Sequence, residues 1–523
     1  MTTRQNMNNA SFQRALIQRV AAFLAAHDAE AYLVGGPVRD MLLGRPAHDL
    51  DFVVTRGDSL TLAQALADEW GAPFVPLDRV FGIGRVVIRN VECGMRNAKP
   101  QSATRTLRAH SAIYLDFNRL RAPTLAEDLA ARDFTINAIA AALTWAEDPS
   151  PEHLVDPLGG QHDLARRVVR AVSNHAFLDD PVRLLRAVRQ AGELGFAIEP
   201  ETLALIRRDA DLIAWSASER VRDELVRLFA QPQAIAGVEL LDELGLLTSV
   251  IPELEPARGM TQPAAHQWDV FQHVLETVRA LEWLLDQLRG RETPWRWDPT
   301  LTLNPDQLHV DRVLAHLEAP SSAAGTRAVL LKFATLLHDI AKPQCRTIDA
   351  AGRIRFFNHE TEGAPMAATV MRRLRFSAHE AETVAHIVAH HMRPAQLATA
   401  RQVSSRAIAR FLRSVGEAAI DVLLLSLCDH LSTQGPRVRP AEWNRHVTAT
   451  GEMLAAYFHR SDRVAQLPRL LTGHDLMTTF GLEPGKQVGT LLDALREAQL
   501  AGTITTRQEA LAWVAERLGE GEA

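Results

Sequence analysis

The chain has 523 residues, 47% of them hydrophobic and 23% charged, with a formal net charge of −6. That length implies several domains, each with its own core, and the mild acidity means that any nucleic-acid surface must be local. No apolar run approaches the width of a bilayer, no apolar leader stands at the start, and Cys93, Cys345 and Cys428 are too scattered for disulfides or a Cys-based zinc site, so a reducing cytoplasm and no membrane partner are expected.

Residues 1–24 begin polar and then follow a helical spacing through Phe12, Leu16, Val20 and Phe23. From 31 to 172 strand-like runs at 31–34, 50–54, 85–88 and 113–117 mix with helical segments such as 60–70, which predicts a small mixed sheet with helices on it. After 175 the pattern is helical almost throughout, at 182–194, 200–209, 219–229 and 234–246. The region 256–450 is again helix-rich, broken by a Trp/Pro stretch at 290–305 and small residues at 320–325. The last segment, 465–523, carries Gly473-His474-Asp475 and an amphipathic pattern at 488–499.

Chemistry concentrates first in Leu33-Val34-Gly35-Gly36-Pro37-Val38-Arg39-Asp40, closed by Asp49-Leu50-Asp51. Paired glycines after a strand let the backbone turn tightly against a ligand. Asp49 and Asp51 are two apart on the next strand, so both project from one face, and a divalent cation is the usual means of holding two such carboxylates ionised. A glycine turn, an arginine and a metal-binding pair suit a nucleoside triphosphate. Three more clusters follow: Glu127-Asp128 through Arg132-Asp133-Phe134-Thr135-Ile136-Asn137-Ala138, Val155-Asp156-Pro157-Leu158-Gly159-Gly160 with Asp163, and Asp179-Asp180-Pro181-Val182-Arg183 with Arg186 and Arg189.

In this order the four motifs resemble the class II tRNA nucleotidyltransferase and bacterial poly(A) polymerase family. The resemblance implies an α+β multidomain chain: a small polymerase-β-like head with a mixed sheet, then an all-α neck, body and tail. It implies a helical extension over 1–24, a head over 25–172 and a neck over 173–255. It also implies template-independent addition of nucleotides to an RNA 3′ end, with tRNA, CTP and ATP as partners and Mg²⁺ in the head. Residue by residue, Gly35, Gly36 and Arg39 fall in the triphosphate-contacting motif and Asp49 and Asp51 on the metal-binding pair. Arg132 falls on the second arginine of R-R-D-F-T-I-N-A. Asp180, Arg183, Arg186 and Arg189 fall on the neck residues that bind the incoming nucleotide. Asp116, in Tyr114-Leu115-Asp116-Phe117, is a candidate third carboxylate, with a solvated strand-end Asp as the alternative.

Arg39, Arg132, Arg186 and Arg189 offer planar forks for phosphate and ribose oxygens. A carboxylate at Asp180 accepts from the exocyclic amine of C or A, and a guanidinium at Arg183 donates to C N3 or A N1, whereas U and G mismatch both. Their i, i+3 spacing suggests one helical edge. Two positions depart from the family: Asp179 stands where Glu is usual and Ala131 where Arg is usual. The connection 90–112 is longer than usual, near the family's flexible loop that switches C to A addition. Full CCA, CC-only and A-only addition therefore all stay open, as does poly(A) synthesis, although the chain lacks a long basic C-terminal tail.

A second set follows downstream: His266, Asp269 and His273, then His338-Asp339-Ile340-Ala341-Lys342, His359-Glu360, His390-His391 and Asp429. It resembles the HD metal-dependent phosphohydrolase domain over 256–435, assigned to a body of 256–455 with a tail of 456–523. The resemblance implies that His273, His338, Asp339, His359, His390 and Asp429 hold a divalent metal, whose identity imidazoles and carboxylates leave open among Mg, Mn, Fe, Ni and Zn. Family members with this domain act as phosphatases or 2′,3′-cyclic phosphodiesterases; the alternative is a remnant that braces tRNA. A phosphohydrolase that uses its head only to bind RNA, or a non-catalytic RNA-binding protein, would not need Asp49, Asp51 and Arg132. Arg401, Arg406, Arg410 and Arg413 follow a helical spacing that suits an RNA backbone or a solvated face.

Overall fold

The computed structural model describes every residue except 1–2, 48, 90–111, 147–149, 292, 304, 400–402, 467, 501–502 and 520–523. The long connection expected over 90–112 and Arg401 thus lie outside the described residues, apart from Ala112. The chain forms two compact units, residues 1–255 with Arg373–Arg375, and residues 256–372 with 376–523.

The first unit opens with α1 (Thr3–Ala26), whose Leu16, Ile17, Val20, Phe23 and Leu24 are buried. A mixed sheet follows, with β1 (Glu30–Val34), β2 (Asp49–Arg56), β3 (Phe74–Asp78), β4 (Ile83–Arg89), β5 (Ala112–Arg119), β6 (Ala140–Ala142) and β7 (Leu154–Val155) in the order β3-β4-β5-β2-β1-β6-β7. The pair β2–β5 is parallel and the other neighbours are antiparallel. Leu33, Leu50, Phe52 and Phe117 fill its centre, and Phe52 stacks on its register partner Phe117 at 5.1 Å between ring centroids.

The four expected strands are β1, β2, β4 and β5. The sequence pattern passes over β3, which carries Pro76 on a largely exposed edge, and over β6 and β7, one an alanine triplet and the other two residues long. Between strands run α2 (Gly36–Leu42), α3 (Ser59–Trp70) and α4 (Leu125–Ala130), and α5 (Gly160–Arg166) follows β7. The Asp58 side chain caps α3 through the Thr61 N–H at 2.8 Å, and left-handed Gly71 ends it. Apart from a short parallel pair, Val168–Val169 with Ala197–Ile198, the rest of this unit is helical: α6 (Ala176–Asp179), α7 (Arg183–Leu194), α8 (Pro200–Asp209), α9 (Ser218–Phe229), α10 (Ala234–Glu243) and α11 (Leu246–Val250).

The second unit runs through α12 (Val270–Leu288), α13 (Val310–Leu317), α14 (Arg327–Leu337), α15 (Lys342–Cys345), α16 (His359–Arg373), α17 (Ala378–His390), α18 (Met392–Ala398), α19 (Ser405–Val415), α20 (Ala419–Gln434) and α21 (Pro440–Gln466). Arg406, Arg410 and Arg413 all lie exposed on α19, opposite buried Ile408, Phe411, Leu412 and Val415. The last helices, α22 (Gly473–Phe480), α23 (Lys486–Leu500) and α24 (Arg507–Gly519), gather around Leu471, Leu476, Leu495 and Val514 as a small separate core. Thr472 and Asp475 form a capping box at the start of α22, which accounts for the Thr-Gly-His-Asp stretch as a helix start. Among the described residues no helix is long and apolar enough to cross a membrane.

Candidate active site and metal centre

After β1 the chain turns at Gly35, whose φ of 77° favours glycine. A Cβ there would stand 2.8 Å from Arg132 Nη1, so the missing side chain lets that guanidinium lie against the turn. Gly36 is less constrained: its nearest neighbour to a Cβ would be Arg39 Nη2 at 3.8 Å, an ordinary contact. The turn therefore requires one glycine, where the sequence suggested a pair. Arg39, 8% exposed, donates from Nη1 to Asn137 Oδ1 and from Nε to Asp40 Oδ1, both at 2.8 Å.

β2 presents Asp49, exposed, and Asp51, half-buried, and the parallel register sets Asp51 opposite Asp116 on β5. Asp116 is buried and accepts two 2.7 Å bonds from Arg85, its register partner on β4. It is thus an ion-paired carboxylate beside Asp51, and the solvated strand end is set aside. Burial, with Asp116 and Asp49 nearby, pushes the Asp51 carboxyl up to about 6 against the pull of Arg132 and Arg85. This carboxylate set fits a divalent cation, which would relieve the repulsion.

The motif around Arg132 supplies the wall. Arg132 Nη2 lies 3.5 Å from Asp128 Oδ2, and its buried Nε has no hydrogen-bond partner among the described residues. Asp133 Oδ1 accepts from the Phe134 N–H at 2.8 Å and Asn137 Nδ2 at 3.0 Å, and its Oδ2 accepts from Arg186 at 3.2 Å. Burial opposes its charge, yet Arg186 and these bonds hold its carboxyl below the ordinary range. The 155–164 cluster serves as the buttress. Asp156 accepts from the N–H groups of Gly160 at 2.7 Å and Gln161 at 2.9 Å, capping α5, and buried Asp163 accepts from Thr135 Oγ1 at 2.7 Å. A Cβ on Gly160 would fall 2.2 Å from Thr135 O, so α5 packs directly on the turn that carries Asn137.

Asp180 is not on a helical edge with Arg183. It sits between α6 and α7 with φ −154° and ψ 95°, because the following Pro181 bars it from helical geometry. Arg183 Nε is 3.7 Å from Asp180 Oδ2, while its Nη1 donates to Arg132 O at 2.9 Å and Ala176 O at 3.2 Å and its Nη2 to Ala131 O at 2.9 Å. Both Asp180 oxygens accept from Arg220 of α9, at 2.9 and 2.7 Å. Arg186 and Arg189 share buried Glu224, at 2.8 and 2.5 Å. Two cavities result. One, about 420 Å³, is lined by Gly35, Arg39, Asp49, Asp51, Arg132, Arg186 and Arg189; the other, about 330 Å³, by Asp51, Arg132, Asp180, Arg183, Arg186 and Arg220. They share Asp51, Arg132, Asp133 and Arg186.

In the second unit, His273 Nε2 lies 3.1 Å from Asp429 Oδ1, 3.2 Å from Asp339 Oδ2 and 3.3 Å from His338 Nε2. His359 Nε2 and His391 Nε2 are 3.3 and 3.8 Å from Asp339 Oδ1. The Nδ1 atoms of His338, His359 and His391 each meet a carbonyl three residues back, at 2.8, 2.8 and 2.7 Å. Nδ1–H donation to those carbonyls assigns the tautomer and turns each Nε2 lone pair inward. His359 Nε2 and His391 Nε2 are buried with no hydrogen-bond partner among the described residues. Two triads, His273-His338-Asp429 and His338-Asp339-His391, bring ligand atoms within 4.8 Å of one another. Orphaned imidazole nitrogens beside shared carboxylates fit a divalent cation.

The assignment of His390 is corrected to His391. One residue along a helix rotates the side chain by about 100°, so neighbouring histidines cannot both face the centre. His390 instead packs on His386, with ring centroids 4.5 Å apart. Asp269 is a cap of α12, accepting from the Gln272 N–H at 2.7 Å. Burial pushes His391 down to about 3. Burial works against charge on His273 too, but its bonds to Asp339 and Asp429 outweigh it and hold the imidazole above its ordinary value. Asp339 is drawn well below the carboxylate range despite burial, by His338, Lys342 and the bond from His273. Lys342 Nζ sits 2.6 Å from Asp339 Oδ2 and donates to Gln262 Oε1 at 2.8 Å.

Sequence reasoning missed Arg85, Arg220 and Glu224. Arg85 left a trace as the one charged residue in an apolar strand run, but Arg220 and Glu224 look like any polar residues on an amphipathic helix.

Four family profiles match the chain in series: Poly A polymerase head domain over 31–170, Probable RNA and SrmB-binding site of polymerase A over 195–258, HD domain over 270–434, and tRNA nucleotidyltransferase domain 2 putative over 357–515. The chain is 35% identical to an A-adding tRNA nucleotidyltransferase of Deinococcus radiodurans, covering 92% of this chain and 94% of that one. It is 32% identical to a CC-adding tRNA nucleotidyltransferase of Geobacter sulfurreducens, covering 97% and 96%. Its fold is similar to the Thermotoga maritima CCA-adding enzyme complexed with tRNA, with a TM-score of 0.51, 18% identity, and 96% and 95% coverage.

Proposed function

The chain belongs to the tRNA nucleotidyltransferase family, and on that premise we propose that it adds C, A or both, from CTP and ATP, to the 3′ end of tRNA in the cytoplasm without a nucleic-acid template. The observation that carries this reading is the meeting of two cavities at Asp51 and Arg132, one reaching the glycine turn and the other Asp180 and Arg183. A triphosphate lies in the first and its base in the second. Arg39, Arg132, Arg186 and Arg189 bind phosphate and ribose oxygens through charge-assisted forks. Asp49 and Asp51, with Asp116 beside them, would hold a divalent metal, Mg²⁺ in this reading, which would supply charge neutralisation for the triphosphate and activation of the RNA 3′-hydroxyl.

Base choice rests on Asp180 and Arg183. A guanidinium has five N–H donors, and three of those of Arg183 are spent on carbonyls. One Nη2–H and the Nε–H remain for C N3 or A N1. A carboxylate has about four acceptor sites, and Arg220 takes two of those on Asp180, leaving room for an exocyclic amine. The test supplies tRNA lacking CCA, CC-ended tRNA and an unrelated RNA with CTP, ATP or both. Addition limited to tRNA supports the reading and its stopping point defines the C/A subtype, whereas long A tails on every RNA would replace it with poly(A) synthesis.

The inward Nε2 atoms of His359 and His391 favour a second activity in the same chain, hydrolysis of phosphate esters at the His/Asp centre. His273, His338, Asp339, His359, His391 and Asp429 would hold a divalent metal there, which supplies an activated water. Release of phosphate from p-nitrophenyl phosphate or a 2′,3′-cyclic nucleotide, lost on chelation and restored by one metal, tests it.

A further inference from the structure

Asp180 has no helical scaffold to aim it. It sits in extended geometry at the break between α6 and α7, and its side chain is only partly buried. A carboxylate that must discriminate an amine from a carbonyl needs its acceptor oxygens at fixed positions, because a swivelling one would accommodate the wrong base through water. Arg183 contributes little to that aim, since its Nε stands 3.7 Å away and its Nη atoms are turned to the carbonyls of Ala131, Arg132 and Ala176. The group that does hold Asp180 is Arg220, through Nη1 to Oδ1 at 2.9 Å and Nη2 to Oδ2 at 2.7 Å. A two-point fork of this kind fixes both the direction and the rotation of the carboxylate plane. Arg220 also lines the cavity that holds Asp180, Arg183 and Asp51.

We propose that Arg220 is a specificity-determining positioning residue, which fixes the Asp180 carboxylate so that it accepts the amine of C or A and rejects the carbonyl of U or G. The assignment rests on the reading of Asp180 as a base contact. Arg220 comes from α9, whereas Asp180 precedes α7, so the packing of these two helices becomes part of base choice. The Arg220 side chain is 49% exposed, so its replacement leaves the neck core in place.

The test measures kcat/KM for single additions by the full-length protein with CTP, ATP, UTP and GTP on tRNA lacking CCA and on CC-ended tRNA. Arg220→Ala is expected to lower the preference for C or A over U by about tenfold. Arg220→Lys, which keeps the charge but loses the fork, is expected to restore only part of it. Asp180→Ala should collapse the preference, and adding Arg220→Ala to it should cause no further loss, because both act through one carboxylate. Arg220→Ala with unchanged preference beside a collapsed Asp180→Ala would overturn the assignment while sparing the base contact. Losses that add in the double variant would overturn it too. An Asp180→Ala protein with wild-type preference would remove the base contact itself, and the role of Arg220 with it.

Discussion

The arginine-lined head site and the His/Asp centre face the same physical problem, since each gathers polar groups suited to phosphate in a folded interior, and they solve it in different ways. In the first, Arg39, Arg186 and Arg189 are tied to Asp40, Asp133 and Glu224, and Arg183 is tied to backbone carbonyls. In the second, His359 and His391 turn inward nitrogens towards Asp339 that make no hydrogen bond among the described residues. A guanidinium cannot shed its charge, so burying it demands an acid or a carbonyl at hand. An imidazole can stay neutral, as burial keeps His391, so it tolerates burial with a lone pair open to a cation. The head is therefore organised before its ligand by internal ion pairs, and the His/Asp centre by the carbonyls that fix its tautomers.

The strongest break of this comparison is a pair of double substitutions. Asp49→Ala with Asp51→Ala should reduce nucleotide addition by at least about 10³-fold while leaving any phosphatase activity. His338→Ala with Asp339→Ala should do the converse, and loss of both activities in either protein would sink the two-site description. Next in size is Glu224→Ala, which takes the shared acid from half-buried Arg186 and buried Arg189 and leaves them only Asp133 and Glu193: a destabilisation of about 2 kcal/mol is expected, read in chemical denaturation, with a raised KM for CTP. A normal KM would mean that Arg186 and Arg189 do not need the acid they share. His391→Ala should then weaken metal binding to the isolated protein by about 10- to 100-fold, measured by metal content after dialysis, while His390→Ala leaves it near wild type. The reverse order would restore the assignment made from spacing.

The smallest expected effect is one of pH. The Asp51 carboxyl lies at about 6 in place of its ordinary 3.8. Between about pH 4 and 6 the folded metal-free head thus holds a proton that the unfolded chain has lost, so this group's contribution to stability falls as pH rises through that window. Mg²⁺ must displace the same proton, so its affinity for the head should climb by at most about tenfold per pH unit towards 6 and then level off. Calorimetric titration across that range, flat in wild type, would show that Asp51 is ionised before metal arrives.

Much of both sites could be read from residue order. Strand alternation put Asp49 and Asp51 on one face, and the ordered His and Asp residues pointed to one centre. What spacing left open were choices that depend on where a neighbouring element lies. His390 and His391 are equal in sequence, and only the docking of α17 selects the second. Asp180 and Arg183 have helical spacing, yet Pro181 breaks the geometry that spacing assumes. Glu224 and Arg220 carry no signal at all, because a buried acid and a bridging base look like solvated residues on a periodic helix until α9 meets α7.

The sequence by itself determined the family, the α+β head followed by helices, and most of the residue types that chemistry requires, because these depend on local order and side-chain identity. Only the tertiary structure decided which groups pair. It set Asp116 and its Arg85 partner beside Asp51, gave Arg186 and Arg189 a shared acid, and aimed Asp180 through Arg220. Those pairings join residues 31 to 40 positions apart in the chain, and at such separation the packing of strands and helices, with the charges it brings together, fixes the partner.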